Sequence, residues 1–515
     1  MSSLFASAVA AHQQGRLAEA KAGYLQLLQT EPRHADALHL LGVIHLQQGD
    51  AAQAEVLIRR ALEVTESAIF LGNLGNLLKN SGRPEEAEAA YRRALVLKPD
   101  HADVHNNLGI LLRDTGRLQD AEAAFRRAID ITPVYADAQY NLGSQLYFSQ
   151  RFAEAKEACR LALTADPKHA NAHMLMGDLL FEERRLPEAE SAYRQALALQ
   201  PGHAAARLQL RRLLLATGRD TEAWPLFELR LDEASVKAHP GAFSLPYPRW
   251  QGQPLAGKSL VVWPEQGYGD YIQFARYATL LKSQGLARLT LACAPPLAAL
   301  LGTLEGVDAV VTEVSQLPPH DYWVFVMGLP RHAVGLPPQP PYLRALPERI
   351  ARWQGRLPAG RKVGLVWKGN PAHLNDANRS LPGLAILAPL WAVPGVSFVS
   401  LQKGAGEAEA APPPHGQPLL ALSAQAQDFA DMAAIVSQLD LVICMDTAIA
   451  HLAGAIGKPC WVLLPAVGAD GRWRLEGPRT PWYPSLRLFR RRGTGWAGTL
   501  EDVAGALGPW ATTPL

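Results

Sequence analysis

Small and apolar residues recur through the first 235 residues with a fixed period of 33 or 34 positions. Copies such as RPEEAEAAYRRALVLKP and RLQDAEAAFRRAIDITP repeat one unit. Alanine and glycine allow two helices to approach closely, and proline ends a helix. The pattern therefore predicts six helical pairs and a degenerate seventh from Ala204 to about Leu231. The marker residues are Ala20, Ala54, Ala87, Ala121, Ala155 and Ala189; Gly42, Gly75, Gly109, Gly143 and Gly177; and Pro32, Pro99, Pro133, Pro167 and Pro201.

The second half of the chain has a different pattern. Short β-branched apolar runs alternate with helical stretches, at 259–263, 287–293, 362–369, 396–402, 439–445 and 459–465. Such alternation predicts parallel sheets with crossover helices. A proline-rich break near 337–347 divides this half in two. We expect two Rossmann-like α/β lobes that face a cleft in a GT-B arrangement, with ligands at the carboxyl ends of the strands.

The period of the first half resembles that of the tetratricopeptide repeat family, which implies an α solenoid that coils into a right-handed superhelix. Four segments are predicted: the repeats at 1–235, a Pro- and Gly-rich linker at 236–256, and the two lobes at 257–345 and 346–515. The recurring Tyr91, Phe125 and Tyr193 are predicted to fill the core between helices.

A repeat solenoid presents a long concave surface that usually binds a protein or peptide. Asn73, Asn107 and Asn141 each precede the repeat glycine by two positions, which places them on successive inner helices. Their amides can pair with an extended peptide backbone. The protein O-GlcNAc transferases use a similar asparagine ladder, so the resemblance implies a peptide guest. The alternative is that these amides cap helices or are merely solvated.

Composition and charge exclude several classes of protein. Lys and Arg number 50 and Asp and Glu 48, so we expect no nucleic-acid partner. The four cysteines are far apart, without a C-x-x-C, which excludes a disulfide framework and a cysteine zinc site. The N-terminus lacks the basic residue of a signal peptide, and prolines interrupt the uncharged run from Leu381 to Leu401. We expect a cytoplasmic protein with no membrane span.

The first candidate site follows the strand at 259–263. Gly267 and Gly269 precede the expected helix and would let a ligand approach the backbone. The third glycine of a dinucleotide fingerprint is missing, so NAD is not expected. Asp270 stands at the helix start, where it is either an N-cap or a general base in the cleft.

The second candidate site follows the strand at 439–445. Asp446 ends this strand, Thr447 begins a helix, and His451 lies one turn further on the same face. The helix-start amides and the Thr447 hydroxyl suit a diphosphate, and Asp446 suits sugar hydroxyls. The alternative is an N-cap aspartate with a buried histidine.

The two sites together, G-x-G-D-x-I and D-T-x-x-x-H-L-x-x-A-x-G-K-P, resemble the bacterial heptosyltransferase-like glycosyltransferases. The pairing with repeats resembles bacterial proteins that glycosylate flagellin. The resemblance implies that Asp270 is the catalytic base in the acceptor-side lobe and that Arg379 contacts phosphate. Lys368, at a strand end, is a second phosphate candidate or a plain surface lysine. In the family, the nucleotide-sugar is bound by residues matching Asp446, Thr447 and His451.

These expectations combine into one reaction. The chain is expected to transfer a sugar from a nucleotide-sugar to a protein held in the repeat groove, with inversion. No D-x-D motif lies in a suitable loop, so no metal or other cofactor is expected. Two alternatives stay open: a peptide-binding scaffold with a degenerate transferase half, and a transferase acting on a polysaccharide or lipid-linked sugar.

Overall fold

The chain divides into two units, Met1–Gln209 and Leu210–Leu515. The computed structural model describes residues 3–228, 245–265, 267–333, 337, 339–373, 375–412, 419–466, 468–493 and 495–513. The first unit is built from helices, and the second contains two parallel sheets with helices around them. The α solenoid followed by a two-lobe α/β region is therefore confirmed. The boundaries proposed at 235 and 345 stay predictions.

The repeat pattern folds as consecutive helical pairs joined by short turns. The described helices are α1 (Ser3–Gln13), α2 (Leu17–Thr30), α3 (Ala35–Gln47), α4 (Ala51–Val64), α5 (Ala68–Asn80), α6 (Pro84–Leu97), α7 (Ala102–Asp114), α8 (Leu118–Ile131), α9 (Ala136–Phe148), α10 (Phe152–Ala165), α11 (Ala170–Glu182), α12 (Leu186–Leu199), α13 (Ala204–Ala216) and α14 (Asp220–Glu228). The seventh pair, α13 and α14, ends in the second unit.

Aromatic rings cover three of the five repeat glycines, Gly75, Gly109 and Gly177. A Cβ atom on Gly75 would lie 2.5 Å from Cε1 of Tyr91, and one on Gly109 would lie 2.6 Å from Cε1 of Phe125. Both rings are fully buried. The glycine thus makes room for the ring of the following helix, and the prediction that these aromatics fill the core is confirmed.

The second unit begins with a four-stranded parallel sheet in the order β3-β2-β1-β4. Residues 229–244, which include most of the predicted linker, lie outside the described residues. From residue 245 the chain runs along β4, where the Trp250 amide donates to the Trp323 carbonyl over 2.7 Å. The strands are β1 (Ser259–Trp263), β2 (Arg288–Ala292), β3 (Ala309–Val311) and β4 (Tyr322–Phe325), and the helices are α15 (Tyr268–Ser283), α16 (Pro295–Leu301) and α17 (Leu329–His332).

A six-stranded parallel sheet in the order β10-β9-β8-β5-β6-β7 forms the second lobe. Its central strands are buried on both faces, as their continuous apolar sequences predict. The strands are β5 (Arg361–Val366), β6 (Val396–Ser400), β7 (Leu419–Ala421), β8 (Leu441–Met445), β9 (Cys460–Leu464) and β10 (Leu486–Arg490). The helices are α18 (Pro347–Gln354), α19 (Asp376–Arg379), α20 (Ala388–Trp391), α21 (Phe429–Ser437), α22 (Ala448–Ala455) and α23 (Ala497–Thr512).

The uncharged run from Leu381 to Leu401 contains short helical turns and β6, as its prolines predict. In the described parts of the chain, no helix combines the length and the hydropathy that crossing a membrane requires.

Candidate functional site

The carboxyl end of β8 leads directly into a buried helix. β8 ends at Met445, Asp446 follows, and Thr447 is the extended N-cap residue of α22. The hydroxyl oxygen of Thr447 is buried and has no hydrogen-bond partner within the described residues. A buried hydroxyl without a partner is costly unless a ligand or water completes it. The amides at the start of α22 add partial positive charge at the same point.

His451 lies one turn into α22 in a closely packed aromatic setting. Its Nδ1 is 3.1 Å from the Tyr483 hydroxyl, and its ring stacks on Trp473 with 5.3 Å between centroids. Burial, and then the nearby Arg472 guanidinium, lowers the pKa of His451 to about 4. The imidazole is therefore neutral at physiological pH, where it can bind a ligand through hydrogen bonds and stacking.

The Asp446 carboxylate lies in an unfavourable environment for a charge. Its Oδ1 is 4.0 Å from Nε2 of His451. Burial, and then the neighbouring Asp470 carboxylate, raises the pKa of Asp446 to about 6. Because Asp446 follows Met445 and precedes the cap residue Thr447, the interpretation of Asp446 itself as the N-cap is wrong. A carboxylate whose pKa is raised in this way, at the end of a strand, is typical of a functional site.

α15 of the first lobe packs directly on α22 of the second. A Cβ atom on Gly269 would lie 2.8 Å from Cδ2 of His451 and 3.3 Å from Cα of Ala448. Gly269 is therefore required for the close approach of the two helices. Gly267 is the N-cap residue of α15, so the interpretation of Asp270 as the N-cap is wrong as well.

Asp270 projects instead into an ion-pair cluster with the loop after β9. Its Oδ1 lies 2.7 Å from Nη2 of Arg472, which also lies 2.8 Å from Oδ2 of Asp470. Nη1 of Arg472 donates to Oε1 of Gln273 over 2.8 Å. Burial alone would raise the pKa of Asp470, but the ion pair with Arg472 holds this pKa below its usual range. Burial would lower the pKa of Arg472, but the carboxylates of Asp470 and Asp270 together raise it above its usual value.

The two basic candidates for phosphate differ in position. Nη1 of Arg379 donates to the backbone carbonyl of Asp446 over 3.3 Å, beside the start of α22. Nζ of Lys368 forms an ion pair with Glu409 over 2.6 Å, and Glu409 also accepts a bond from the Leu384 amide. The geometry therefore favours Arg379 over Lys368 as the cation of this site.

The structure thus brings Asp270, Asp446, Thr447, His451 and Arg379 into one region of the second unit. Sequence reasoning missed the loop that joins them, which contributes Asp470, Arg472 and Trp473, and also missed Tyr483. The available signal was the run D-G-R-W-R at 470–474, in the loop after β9, because loops at the carboxyl ends of parallel strands converge. Among the described residues, no group of three or more His, Cys, Asp or Glu side chains is arranged to hold a metal ion.

The three repeat asparagines are not equivalent. Nδ2 of Asn73 lies 2.8 Å from Nε2 of His39, and Nδ2 of Asn141 donates to Oδ1 of Asn106 over 2.9 Å. Both amides therefore link neighbouring repeats, a use that the sequence did not predict. Asn107 has no side-chain hydrogen bond to any other described residue. The peptide-binding role of the three stays a prediction.

Comparison with known families supports the assignment of the first unit. Tetratricopeptide repeat profiles match residues 11–69, 73–136, 140–203 and 180–233. The repeats form a tetratricopeptide solenoid. Protein FlbA of Caulobacter vibrioides is 33% identical over an alignment of 336 residues, which covers 58% of this chain and 54% of FlbA. The chain therefore spans about half the length of that relative, and the match is longer than the repeats alone.

Several solved structures show partial similarity. The anaphase-promoting-complex assembly Cut9-Hcn1 is 18% identical, with a TM-score of 0.39, over 41% of this chain and 42% of that chain. PilF of Pseudomonas aeruginosa is 27% identical, with a TM-score of 0.36, over 41% of this chain and 93% of PilF. YrrB, titled a TPR protein with an unusual peptide-binding site, is 20% identical, with a TM-score of 0.30, over 36% and 95%. The repeat assignment itself rests on the period and on the helical pairs.

Proposed function

We propose that the second unit transfers a sugar from a nucleotide-sugar to an acceptor protein. The observation that carries this proposal is the start of α22, where the buried Thr447 hydroxyl has no hydrogen-bond partner among the described residues and the Arg379 guanidinium donates to the neighbouring Asp446 carbonyl. A helix start, a hydroxyl donor and a cation are the groups that bind a diphosphate. Asp446, directly before them, is placed to accept bonds from sugar hydroxyls.

In the proposed reaction, the acceptor hydroxyl oxygen bonds to the anomeric carbon as the bond from that carbon to the diphosphate oxygen breaks. Asp270 accepts the hydroxyl proton on Oδ2, while its Oδ1 stays paired with Arg472. Such general-base assistance contributes typically about 10²–10⁴ in rate. Arg379 and the amides of α22 offset the charge on the departing nucleotide diphosphate. Attack on the face opposite the leaving group inverts the anomeric centre.

The acceptor is proposed to be an extended segment of a protein, with flagellin as one candidate. The tetratricopeptide repeats support a protein acceptor, because such solenoids commonly bind peptides along their concave surface. Binding energy from the repeats would be remote from the reacting atoms and would raise the concentration of acceptor at the site. An acceptor polysaccharide or lipid-linked sugar would make the repeats dispensable for transfer.

A second candidate function is a peptide-binding scaffold whose transferase half has lost activity. The close packing of Gly269 against His451 and the ion pair between Asp270 and Arg472 favour this candidate. Both contacts occupy groups that the proposed reaction uses. A scaffold would bind peptides through its repeats and would not bind nucleotide-sugars.

Purified full-length protein distinguishes the two functions. We would titrate it with UDP-, GDP- and CMP-sugars by calorimetry and then incubate it with protein extract and a labelled donor. Transfer by the wild type, together with loss of binding in Asp446→Asn, is the expected result. Asp440→Asn is the matched control, because Asp440 precedes β8 at the opposite edge of the sheet, where its carboxylate accepts the Lys362 amide. Absence of binding to every donor would contradict the transferase proposal.

A further inference from the structure

The seventh helical pair holds the loop that carries Arg472. Asp220, the first residue of α14, binds Arg474 through two bonds, Nη1 to Oδ1 and Nη2 to Oδ2, each 2.7 Å long. The same guanidinium also donates to the Leu215 carbonyl near the end of α13. A bidentate pair of this kind fixes both distance and orientation. Both side chains are largely buried, at 29% exposed for Asp220 and 17% for Arg474.

The backbone of the loop also lies against α13. A Cβ atom on Gly471 would lie 2.5 Å from the Arg212 carbonyl oxygen, so only glycine fits there without a shift. The Leu475 amide donates to the Ala216 carbonyl over 3.3 Å. Arg472 is thus held between two backbone contacts, one on each side of it.

Arg474 itself has a backbone conformation that non-glycine residues seldom adopt, with φ 64° and ψ 173°. Such conformations persist only where the surroundings enforce them. The ion pair with Asp220 and the bond to Leu215 are the contacts that do so here. This unfavourable backbone conformation therefore lies two residues from Arg472, the residue that binds Asp270.

α14 also supports the helix on the other side of the ion pair. Its Trp224 packs edge-on against Phe274 of α15, with 5.7 Å between centroids. The Arg472 guanidinium lies 5.4 Å from the centroid of the same Phe274 ring. Asp270 and Gln273, which both bind Arg472, precede Phe274 on α15. One helical pair thus contacts both segments that carry the Asp270–Arg472 ion pair, the helix α15 and the loop after β9.

We propose that α13 and α14, although they continue the repeat pattern, form a positioning element of the candidate active site. The Asp220–Arg474 ion pair fixes the loop from Asp470 to Arg474 so that Arg472 meets Asp270. Asp220 and Arg474 are positioning residues, since they are proposed to act on the reaction through Arg472. The expected effect on catalysis rests on the proposed function, whereas the effect on the loop does not.

The test uses full-length Asp220→Asn, with Glu222→Gln as its matched control. Glu222 lies on the same helix as Asp220 and pairs with Arg219, which directly precedes that helix; both side chains are exposed to solvent. Hydrogen exchange followed by mass spectrometry is expected to show faster exchange across 470–475 in Asp220→Asn, with little change across 441–455. Glu222→Gln is expected to exchange like the wild type, and Asp220→Glu to restore most of the protection. Equal exchange in Asp220→Asn and Glu222→Gln would overturn the inference.

Kinetics provide the second readout. Misplacement of a catalytic group by about 1 Å can cost up to about 100-fold in rate. We therefore expect kcat to fall about 10- to 100-fold in Asp220→Asn, while KM for the nucleotide-sugar stays within about threefold because the α22 site is intact. If the wild type transfers sugar and Asp220→Asn has an unchanged kcat, the positioning inference is overturned and the proposed function stands. A wild type without activity would overturn the proposed function, and the exchange result would still decide the positioning.

Discussion

Replacing Arg472 by methionine is the perturbation with the most predictable consequence. Methionine keeps the unbranched apolar stem of arginine but lacks the guanidinium, so Asp270 and Asp470 lose the cation that they share. Arg472 is 11% exposed and Asp270 is 17% exposed. Breaking a buried ion pair by removing one partner costs about 3–5 kcal/mol, and we expect the lower end because Asp470 is 35% exposed. The second unit should therefore lose about 3 kcal/mol of its free energy of unfolding.

Tryptophan fluorescence measures this loss without interference from the first unit, Met1–Gln209, which contains no tryptophan. All 12 tryptophans lie between Trp224 and Trp510, in the second unit. Urea unfolding followed by this fluorescence gives the free energy of unfolding of the second unit by linear extrapolation. The control is Arg492→Met, since Arg492 is 81% exposed and pairs with Asp502 over 3.1 Å. We expect the control to lose less than about 1 kcal/mol.

The pH dependence of the same measurement has a definite sign. Arg472 lowers the pKa of Asp470 in the folded state, so the Asp470–Arg472 ion pair adds to the free energy of unfolding at a pH above about 4, the pKa of Asp470 in the unfolded chain. It is lost as the pH falls below that value and Asp470 takes up a proton. The difference between wild type and Arg472→Met should therefore be complete at pH 7 and shrink below pH 4. Equal stability of Arg472→Met and Arg492→Met at pH 7 would refute the reasoning.

Three further predictions concern titration in the candidate site, packing in the repeats and binding in the groove. Burial raises the pKa of Asp446 to about 6, so the charged Asp446 destabilises the fold increasingly as the pH rises from 4 to 6, and Asp446→Asn should remove this effect. Burial lowers the pKa of His451 to about 4, so its protonation destabilises the fold increasingly as the pH falls from 6.5 to 4, and His451→Asn should remove that effect. Each effect amounts to about 3 kcal/mol in the free energy of unfolding, measurable by urea unfolding at pH 4.5 and 7.5. If the difference between variant and wild type changed with pH in the same direction for both variants, this account would be contradicted. Gly109→Ala should cost the repeats about 1–3 kcal/mol in melts followed by far-UV circular dichroism, because its Cβ would meet the Phe125 ring. Gly143→Ala should cost less, since its nearest contacts are 3.2–3.4 Å away, and equal losses would argue against the packing account. Asn107→Ala should weaken binding of an acceptor peptide, measured by fluorescence anisotropy, without changing the melting temperature; unchanged affinity would remove Asn107 from the groove.

The fold was largely predictable because its strongest patterns are local. The repeat period follows from contacts such as Gly75 against Tyr91, which recur between helices close in sequence. The central strands β8 and β9 read as continuous apolar runs because both of their faces are buried. The strands missed were β3, β4, β7 and β10. β3 and β7 have only three residues, and in β10 the exposed Arg487 interrupts the apolar run.

The candidate site was only partly predictable, because its ion pairs join distant parts of the chain. Asp270 and Arg472 are separated by about 200 residues, and nothing local identifies arginine as the partner of that aspartate. Likewise, the bond from Asn141 to Asn106 depends on the stacking of two repeats. The sequence indicates which residues stand at strand ends. The strand order of the sheet and the packing of α15 on α22 decide which of them meet.

Transfer of sugar to protein is the central claim, and mass spectrometry of the acceptor tests it most directly. We would compare exported proteins, including flagellin, from cells that contain the wild-type gene, a deletion, Asp446→Asn or Asp440→Asn. Glycopeptides present with the wild type and Asp440→Asn, and absent with the deletion and Asp446→Asn, are the predicted result. Identical peptide masses in all four strains would contradict the account.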